Sequence, residues 1–249
     1  MELLLLLSSE VHSLKVIKDL LGINVNEQAR NEWLAEKLSP LPKGLRVLDA
    51  GAGELRNKPL CKHLEYVSQD ICQYEGSGDL KGLQTGAWDT SKIDIVSDIT
   101  KIPATDASFD IVLCSEVFEH LPDPLKALDE FARLLKSGGK LIVTAPFASL
   151  VHFAPYHYAT GFSRYWYEHH LPLRGFQIKE LSSNGDWFDF AKQELLRLPS
   201  AARKYGDWSW PLAYVFAGAG LVYFFIRGKK SKNADDLACF GWHCVAIKD

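Results

Sequence analysis

The sequence predicts an α/β fold, an open and mainly parallel sheet covered by helices. Three observations carry that expectation. Five apolar runs between residues 45 and 147 each end in a polar or loop-forming residue, as strands buried on both faces do. A strongly amphipathic helix lies between the last two runs, which makes a right-handed crossover unit. The loop "DAGAGE" directly after the first run puts two glycines where such sheets take ligands, outside the carboxyl ends of their strands.

Taken in order, the opening stretch "MELLLLLSSEVHSL" has Glu2 and no basic residues ahead of the Leu3–Leu7 run. That run is shorter than a typical signal core, so the segment reads as an amphipathic helix over the core. From residue 24 to 38, Val25, Ala29, Trp33, Leu34 and Leu38 recur at helical spacing, and "SPLPKG" ends the helix. The strand runs follow: "LRVLDA" at 45–50, "EYVSQDI" at 65–71, "IDIVSDI" at 93–99, "FDIVLCSEV" at 109–117 and "GKLIVTAPF" at 139–147. Between the last two, Leu125, Leu128, Ala132 and Leu135 share a helical face. Asp123 and Pro124 suit its start, and Gly138–Gly139 its end. "DASFD" at 106–110 is expected to turn the chain into the fourth run.

The chain has 249 residues, 47% hydrophobic and 24% charged, enough to bury one large core. It is therefore expected to be one domain: an N-terminal cover over 1–44, a ligand-binding core over 45–147, and an acceptor-side, sheet-closing part over 148–249. Within that last part an apolar helical insertion is expected at about 189–236. There is no internal repeat and no low-complexity segment. A net charge of −3 provides no basic field for nucleic acid. Five scattered cysteines without a C-x-x-C pair read as reduced thiols in a cytoplasmic protein.

The residues that close the strands are Asp49 with Gly51 and Gly53, then Asp70, then Asp98, then Ser115 with Glu116. Glycines let a ligand approach the backbone where a Cβ would block it. Asp70 falls 21 residues after Asp49, where a carboxylate accepts from two ribose hydroxyls. Asp98 is placed to accept from an exocyclic amine. Three carboxylates would repel a pyrophosphate, and Arg56 stands where a dinucleotide fingerprint has its third glycine. The loop suits a nucleoside with a neutral or cationic tail.

Together "VLDAGAGE", "YVSQDI" and "SDITKIPATDASFDIVLCSEVFEHLPDPLKALDEFARLLKSGGKLIVTAPF" resemble the class I S-adenosylmethionine-dependent methyltransferases of the type 11 group, over roughly residues 30–150. The resemblance implies a Rossmann-like, seven-stranded, mostly parallel sheet with helices on both faces and a helical insertion before the last strand, "LACFGWHCVAIKD". It implies S-adenosyl-L-methionine as cofactor. Asp49, Gly51 and Gly53 would lie against the methionine part, Asp70 with Ile71 at the ribose, Asp98 and Ile99 at the adenine, and Ser115 and Glu116 beside the cofactor. The departure is Leu55, where many members have glycine.

The stretch "HFAPYHYATGFSRYWYEHHLPLRGFQIKELSSNGDWF" resembles methyltransferases of bacterial surface-polysaccharide and glycan biosynthesis. That likeness implies a sugar hydroxyl as the small-molecule acceptor. Methyl transfer is an in-line displacement served by positioning, and a hydroxyl acceptor gains from a base. Candidate catalytic residues are His152, His157 and His120, with Glu119 beside the last; Tyr156, Tyr158 and His157 are candidate acceptor contacts. Against these stand a capping role for Glu119–His120 and a packing role for the aromatic loop. No metal ligands are assigned, because the adjacent His169 and His170 would diverge on a helix and make no site with His157.

Finally, Pro211–Ile226 runs sixteen residues without a charge, between Trp208 and Trp210 on one side and Arg227, Lys229 and Lys230 on the other. A spanning helix needs about 20. The reading adopted is an insertion helix packed on the domain or at a homodimer contact; the alternative is peripheral membrane contact through residues 208–230. For the whole chain the leading expectation is a methyltransferase of a sugar hydroxyl. The others are a methyltransferase of a quinone or lipid-like acceptor at the membrane surface, and a non-catalytic module that keeps the fold for interaction.

Overall fold

The computed structural model describes residues 25–228 and 232–249; the leucine-rich stretch expected to form an N-terminal helix lies outside them. Helix α1 spans Val25–Leu38, and strands β1 to β4 span Arg46–Ala50, Glu65–Asp70, Ile95–Val96 and Phe109–Ser115. Then come α2 (Pro124–Leu134), β5 (Leu135–Pro146), α3 (Arg164–His170), β6 (Phe176–Asn184), α4 (Trp187–Lys204), α5 (Trp210–Arg227) and β7 (Gly241–Lys248). The seven strands form one sheet in the order β3-β2-β1-β4-β5-β7-β6. All neighbours are parallel except β7, which runs antiparallel to both β5 and β6. The expected Rossmann-like, mostly parallel seven-stranded sheet is the observed one.

Strand order reverses between β1 and β4, so the crevice at their carboxyl ends is where a sheet of this kind takes a ligand. The central strands are buried as their unbroken apolar runs require: Val47, Leu48 and Ala50 in β1, and Ile111 to Cys114 in β4. On one face Trp33, Leu34 and Leu38 of α1 pack with Val47, Ile111, Leu113, Ile142 and Val245. Because successive strand side chains alternate, Val112 and Cys114 face the opposite side. Helix α2 buries Ala127, Leu128, Phe131 and Leu134, starting from Pro124 with the Asp123 carboxylate accepting from the Lys126 N–H.

Two expectations are corrected. Helix α2 ends at Leu134, not at Gly138–Gly139: Leu135 already pairs with Phe109, and the two glycines fall within β5 where its register with β4 shifts. Strand β3 keeps only Ile95 and Val96 of the run at 93–99. Beside it the Asp94 carboxylate accepts from both the backbone N–H and the hydroxyl of Ser68, replacing ladder bonds by side-chain bonds. Between β1 and β2 the chain makes only a short 3-10 turn at Lys58–Cys61.

The contacts of the chain divide into two compact units, one of residues 30–184 with 240–249 and the other including 185–239. In the second, Asp186 caps α4 by accepting from Phe188 and Asp189, in a capping box with Asp189. Helices α4 and α5 meet closely at Gly220, where a Cβ would lie within 2.0 Å of Leu195 Cδ2. Only Ala213 and Ala217 of α5 are buried. Leu212, Val215, Phe216, Val222, Phe225 and Ile226 are exposed among the described residues.

Candidate active site

The loop after β1 is built over a buried acid. Asp49 accepts a 2.6 Å bond from the Tyr66 hydroxyl and longer ones, 3.3 and 3.4 Å, from the Asn57 amide. Burial outweighs these bonds and raises its pKa to about 6. Past it, the N–H groups of Gly51 and Ala52 donate to the Gln69 carbonyl at 2.8 and 2.9 Å. Gly51 has φ +76°, and a Cβ there would lie 2.5 Å from Val117 Cγ2; Gly53 has φ +50°, and a Cβ there would lie 2.6 Å from the Trp88 ring. Both positions require glycine for the left-handed backbone and for close approach.

At the end of β2, Asp70 accepts from the Gly53 N–H at 2.9 Å with one oxygen and from the Cys72 N–H at 2.8 Å with the other. Each carboxylate oxygen retains a second lone pair. Asp98, exposed beyond β3, accepts from the N–H and hydroxyl of Thr100 through one oxygen, at 2.8 and 2.9 Å. Ile71 is 46% exposed and offers an apolar face to a ligand, whereas its counterpart Ile99 is buried. Acceptors at 70 and 98, with an exposed apolar side chain at 71, are of the kind that would suit the hydroxyl and amine donors of an adenosine group.

Ser115 and Glu116 turn toward their neighbours. The Ser115 hydroxyl pairs with the Thr144 hydroxyl at 2.8 Å, and Glu116 accepts from the Thr144 hydroxyl at 3.1 Å and ion-pairs with Arg30 at 2.9 Å. They tie β4 to β5 and to α1. Arg56 stands 3.1 Å from Glu54 and lies over the Trp88 ring at 5.5 Å.

Sequence reasoning missed the wall facing this loop. Trp88, Tyr74 and Phe153 form an aromatic cluster with ring centroids 4.4 to 5.8 Å apart. The segment after β2 reaches it by pairing with the segment after β5, Leu83 bridging to His152 through Leu83 N–H to Val151 O and Phe153 N–H to Leu83 O. The only local signal is a tryptophan isolated in a glycine-rich, polar stretch.

The three candidate catalytic histidines converge. His120 and His152 have ring centroids 4.6 Å apart, His152 and His157 5.0 Å, and His120 and His157 6.0 Å. Nδ1 of His120 bonds the Tyr156 carbonyl at 2.6 Å and Nδ1 of His152 the Leu150 carbonyl at 2.9 Å, which leaves Nε2 of each as the bare nitrogen. Both Nε2 atoms approach Oε1 of the fully buried Glu119, at 3.7 and 3.6 Å. These are ion-pair distances, too long for hydrogen bonds, and neither Glu119 oxygen nor either His157 nitrogen has a hydrogen-bond partner among the described residues. Burial lowers the His120 and His157 pKa; for His152 burial is also the largest single influence and acts downward, but Glu119, the Leu150 carbonyl and Glu116 together offset it and the net shift is up.

Glu119 and His120 do not cap a helix. They sit in a 3-10 turn, Phe118–His120, ahead of α2. Of the expected acceptor contacts, Tyr156 supplies its carbonyl to His120, and Tyr158, exposed, donates its N–H to the Glu119 carbonyl at 2.8 Å. His169 and His170 stay together on α3, and neither joins the cluster of His120, His152 and His157.

Residues 48–143 match the family model of a methyltransferase domain. A ubiquinone biosynthesis O-methyltransferase of Xylella fastidiosa (strain M23) is 31% identical over 118 residues, 46% of this chain and 46% of that protein. The match thus spans about half the length of that relative. A demethylmenaquinone methyltransferase of Deinococcus radiodurans is 28% identical over 196 residues, 76% of this chain and 75% of the other. Among solved structures, the (4+2)-cyclase SpnF superposes with a TM-score of 0.53 at 18% identity, over 88% of this chain and 80% of its own, which shows the fold. The curated relatives carry names from quinone biosynthesis, so the narrower resemblance to polysaccharide-biosynthesis enzymes finds no support in them.

Proposed function

We propose that this chain, whose residues 48–143 match a methyltransferase domain, takes S-adenosyl-L-methionine as its cofactor and methylates a hydroxyl of a quinone-like acceptor drawn from a membrane surface. The observation that carries the acceptor class is α5. It is an 18-residue helix whose apolar side chains are mostly exposed, Phe225 to 88%, and Trp208 just ahead of it is 85% accessible. Arg203 stacks near Trp210 at one end and Arg227 closes the other. By length and composition this helix is apolar enough to cross a membrane, and its flanking aromatic and basic residues suit equally a helix lying in the interface of an anionic bilayer. The names of the curated relatives support the same acceptor chemistry, and the sugar hydroxyl expected from sequence gives way to it.

The bound cofactor supplies an electrophilic methyl group on a sulfonium. Asp70 holds the ribose hydroxyls through its remaining lone pairs, Asp98 accepts from the adenine amine, and Gly51 and Gly53 admit the methionine tail past Asp49. His120, His152 and His157 receive the acceptor hydroxyl from the side of the loop that follows β5. The chain's task is in-line positioning, the larger share of catalysis for a displacement whose leaving group departs neutral.

The test is turnover of the full chain with S-adenosylmethionine against prenylated catechols and hydroquinones in mixed micelles, and against nucleotide sugars. S-adenosylhomocysteine formation with the prenylated phenols is expected. Turnover with the sugars alone overturns the acceptor assignment, and absence of cofactor binding at millimolar concentration overturns the enzyme.

A further inference from the structure

We infer that His120, His152 and His157, with Glu119, form a binding site for one divalent transition-metal cation of the zinc type. One nitrogen from each histidine lies within 4.8 Å of the others. Ligands on a zinc ion with bonds of about 2.0–2.1 Å stand roughly 3.3 Å apart, so modest side-chain rotations bring the three onto one ion.

Their hydrogen bonds prepare them for it. His120 and His152 each engage a backbone carbonyl through Nδ1, which fixes the tautomer and leaves Nε2 bare, as the outer-shell partners of metal-bound histidines do. His157 has two buried nitrogens without a hydrogen bond, and Glu119 is fully buried with two such oxygens. Burying so many polar atoms unpaired is costly unless a further partner meets them. A cation facing all four side chains gives one His157 nitrogen and the Glu119 carboxylate the partner they lack, with Glu119 balancing charge as fourth ligand or as nearest neighbour.

Three imidazoles and a carboxylate select a zinc-like ion over magnesium or calcium, which require mostly oxygen ligands. The four residues come from two loops brought together by the Tyr158 and Ala159 N–H bonds to the Glu119 carbonyl and by the His120 bond to the Tyr156 carbonyl. The ion's role in catalysis rests on the reaction proposed above: an acceptor hydroxyl coordinated there would give up its proton to solvent water more readily before its oxygen attacks the methyl carbon. Metal binding itself does not depend on that reading.

The experiment loads the metal-stripped full chain with zinc or cobalt(II), with magnesium as comparison, and follows stoichiometry by elemental analysis and cobalt by its visible d–d bands. One equivalent of zinc or cobalt is expected, retained through dialysis and not displaced by excess magnesium. His152→Ala and His157→Asn should weaken binding at least a hundredfold, and His169→Ala should leave it unchanged. S-adenosylmethionine binding, measured on every variant, shows that each is folded. No stoichiometric zinc or cobalt in the wild-type chain overturns the site, as does full retention by a His152→Ala/His157→Asn double variant that still binds cofactor. Metal bound with no turnover on any acceptor upholds the site while it overturns the proposed reaction.

Discussion

Nε2 of His152 stands 3.6 Å from Oε1 of Glu119, and that contact joins the loop after β5 to the turn after β4. The backbone reinforces the junction, because the N–H groups of Tyr158 and Ala159 donate to the Glu119 carbonyl at 2.8 and 3.2 Å. Since the carbonyl bonds survive substitution of the side chain, Glu119→Gln should keep the loop in place while it removes the charge that orients two imidazoles. Turnover should fall by about 10- to 100-fold with the cofactor Kd within about twofold of wild type, the scale on which such supporting partners act. Steady-state kinetics beside calorimetry checks it, and an unchanged kcat would reduce Glu119 to a packing residue.

Asp70 serves the loop and the ligand at once. Its two oxygens already hold the Gly53 and Cys72 N–H groups, so Asp70→Ala both loosens the glycine loop and removes the ribose acceptors. Charge-assisted hydrogen bonds contribute about 1.5–3 kcal/mol each, and loss of even one weakens S-adenosylmethionine binding roughly tenfold or more. Asp70→Asn, which keeps one carbonyl acceptor, should fall between alanine and wild type. Titration calorimetry that finds wild-type affinity in the alanine variant would dismiss this residue as the ribose ligand.

Gly51→Ala should destabilise the fold and impair cofactor binding together. The new methyl would meet both Val117 methyls, at 2.5 and 2.7 Å, on a backbone with φ +76°. Pairing it with Val117→Ala relieves the contact and leaves the left-handed backbone, a residual cost of about 1–2 kcal/mol. Urea denaturation of the single and double variants separates the two, and an absence of rescue would mean that the backbone alone decides.

Which of these features are legible in the sequence follows from the range of the interactions. β1, β4 and β5 from Gly139 onward are read correctly because they are central strands, and burial on both faces forces continuous apolar runs such as "IVLC". Asp49, Asp70 and Asp98 fall at strand ends by counting alone. β3 is overextended because its pairing stops where Asp94 turns to Ser68, a bond between residues 26 apart. The histidine cluster spans residues 120 to 157, and the long loops that assemble it carry no period. For the same reason the metal reading of the sequence considers His169 and His170, neighbours in the chain, and passes over His120 and His152, neighbours in space.

If α5 lies in a bilayer interface, its outermost aromatic should carry measurable affinity. Phe225 is 88% exposed, and burying a side chain of its size contributes about 1.5–3 kcal/mol. Flotation with anionic vesicles should therefore show Phe225→Ser partitioning roughly tenfold less, with a further decrease at high salt as the Arg203 and Arg227 attraction is screened. Equal flotation of variant and wild type, or none by either, would move the helix from the membrane to a contact between proteins.

Two buried groups bend the pH dependence of stability in opposite directions. Burial raises Asp49 from 3.8 to about 6, so the protonated acid stabilises the fold: its contribution is complete below about pH 4 and is lost as pH rises through about 6. Burial, with Arg30 and Lys37 nearby, lowers His243 from 6.5 to about 4. Its neutral form, stacked on Trp33 at 4.7 Å, contributes fully above 6.5 and ceases to as pH falls through about 4. Each shift corresponds to roughly 3 kcal/mol, and between pH 4 and 6.5 they largely offset one another. Relative to wild type, Asp49→Asn should become less stable by about that amount on acidification across this window, and His243→Gln more stable. Denaturation midpoints at four pH values across it suffice to check the pair. Profiles parallel to wild type in both variants would mean that neither group titrates in the folded chain as its surroundings dictate.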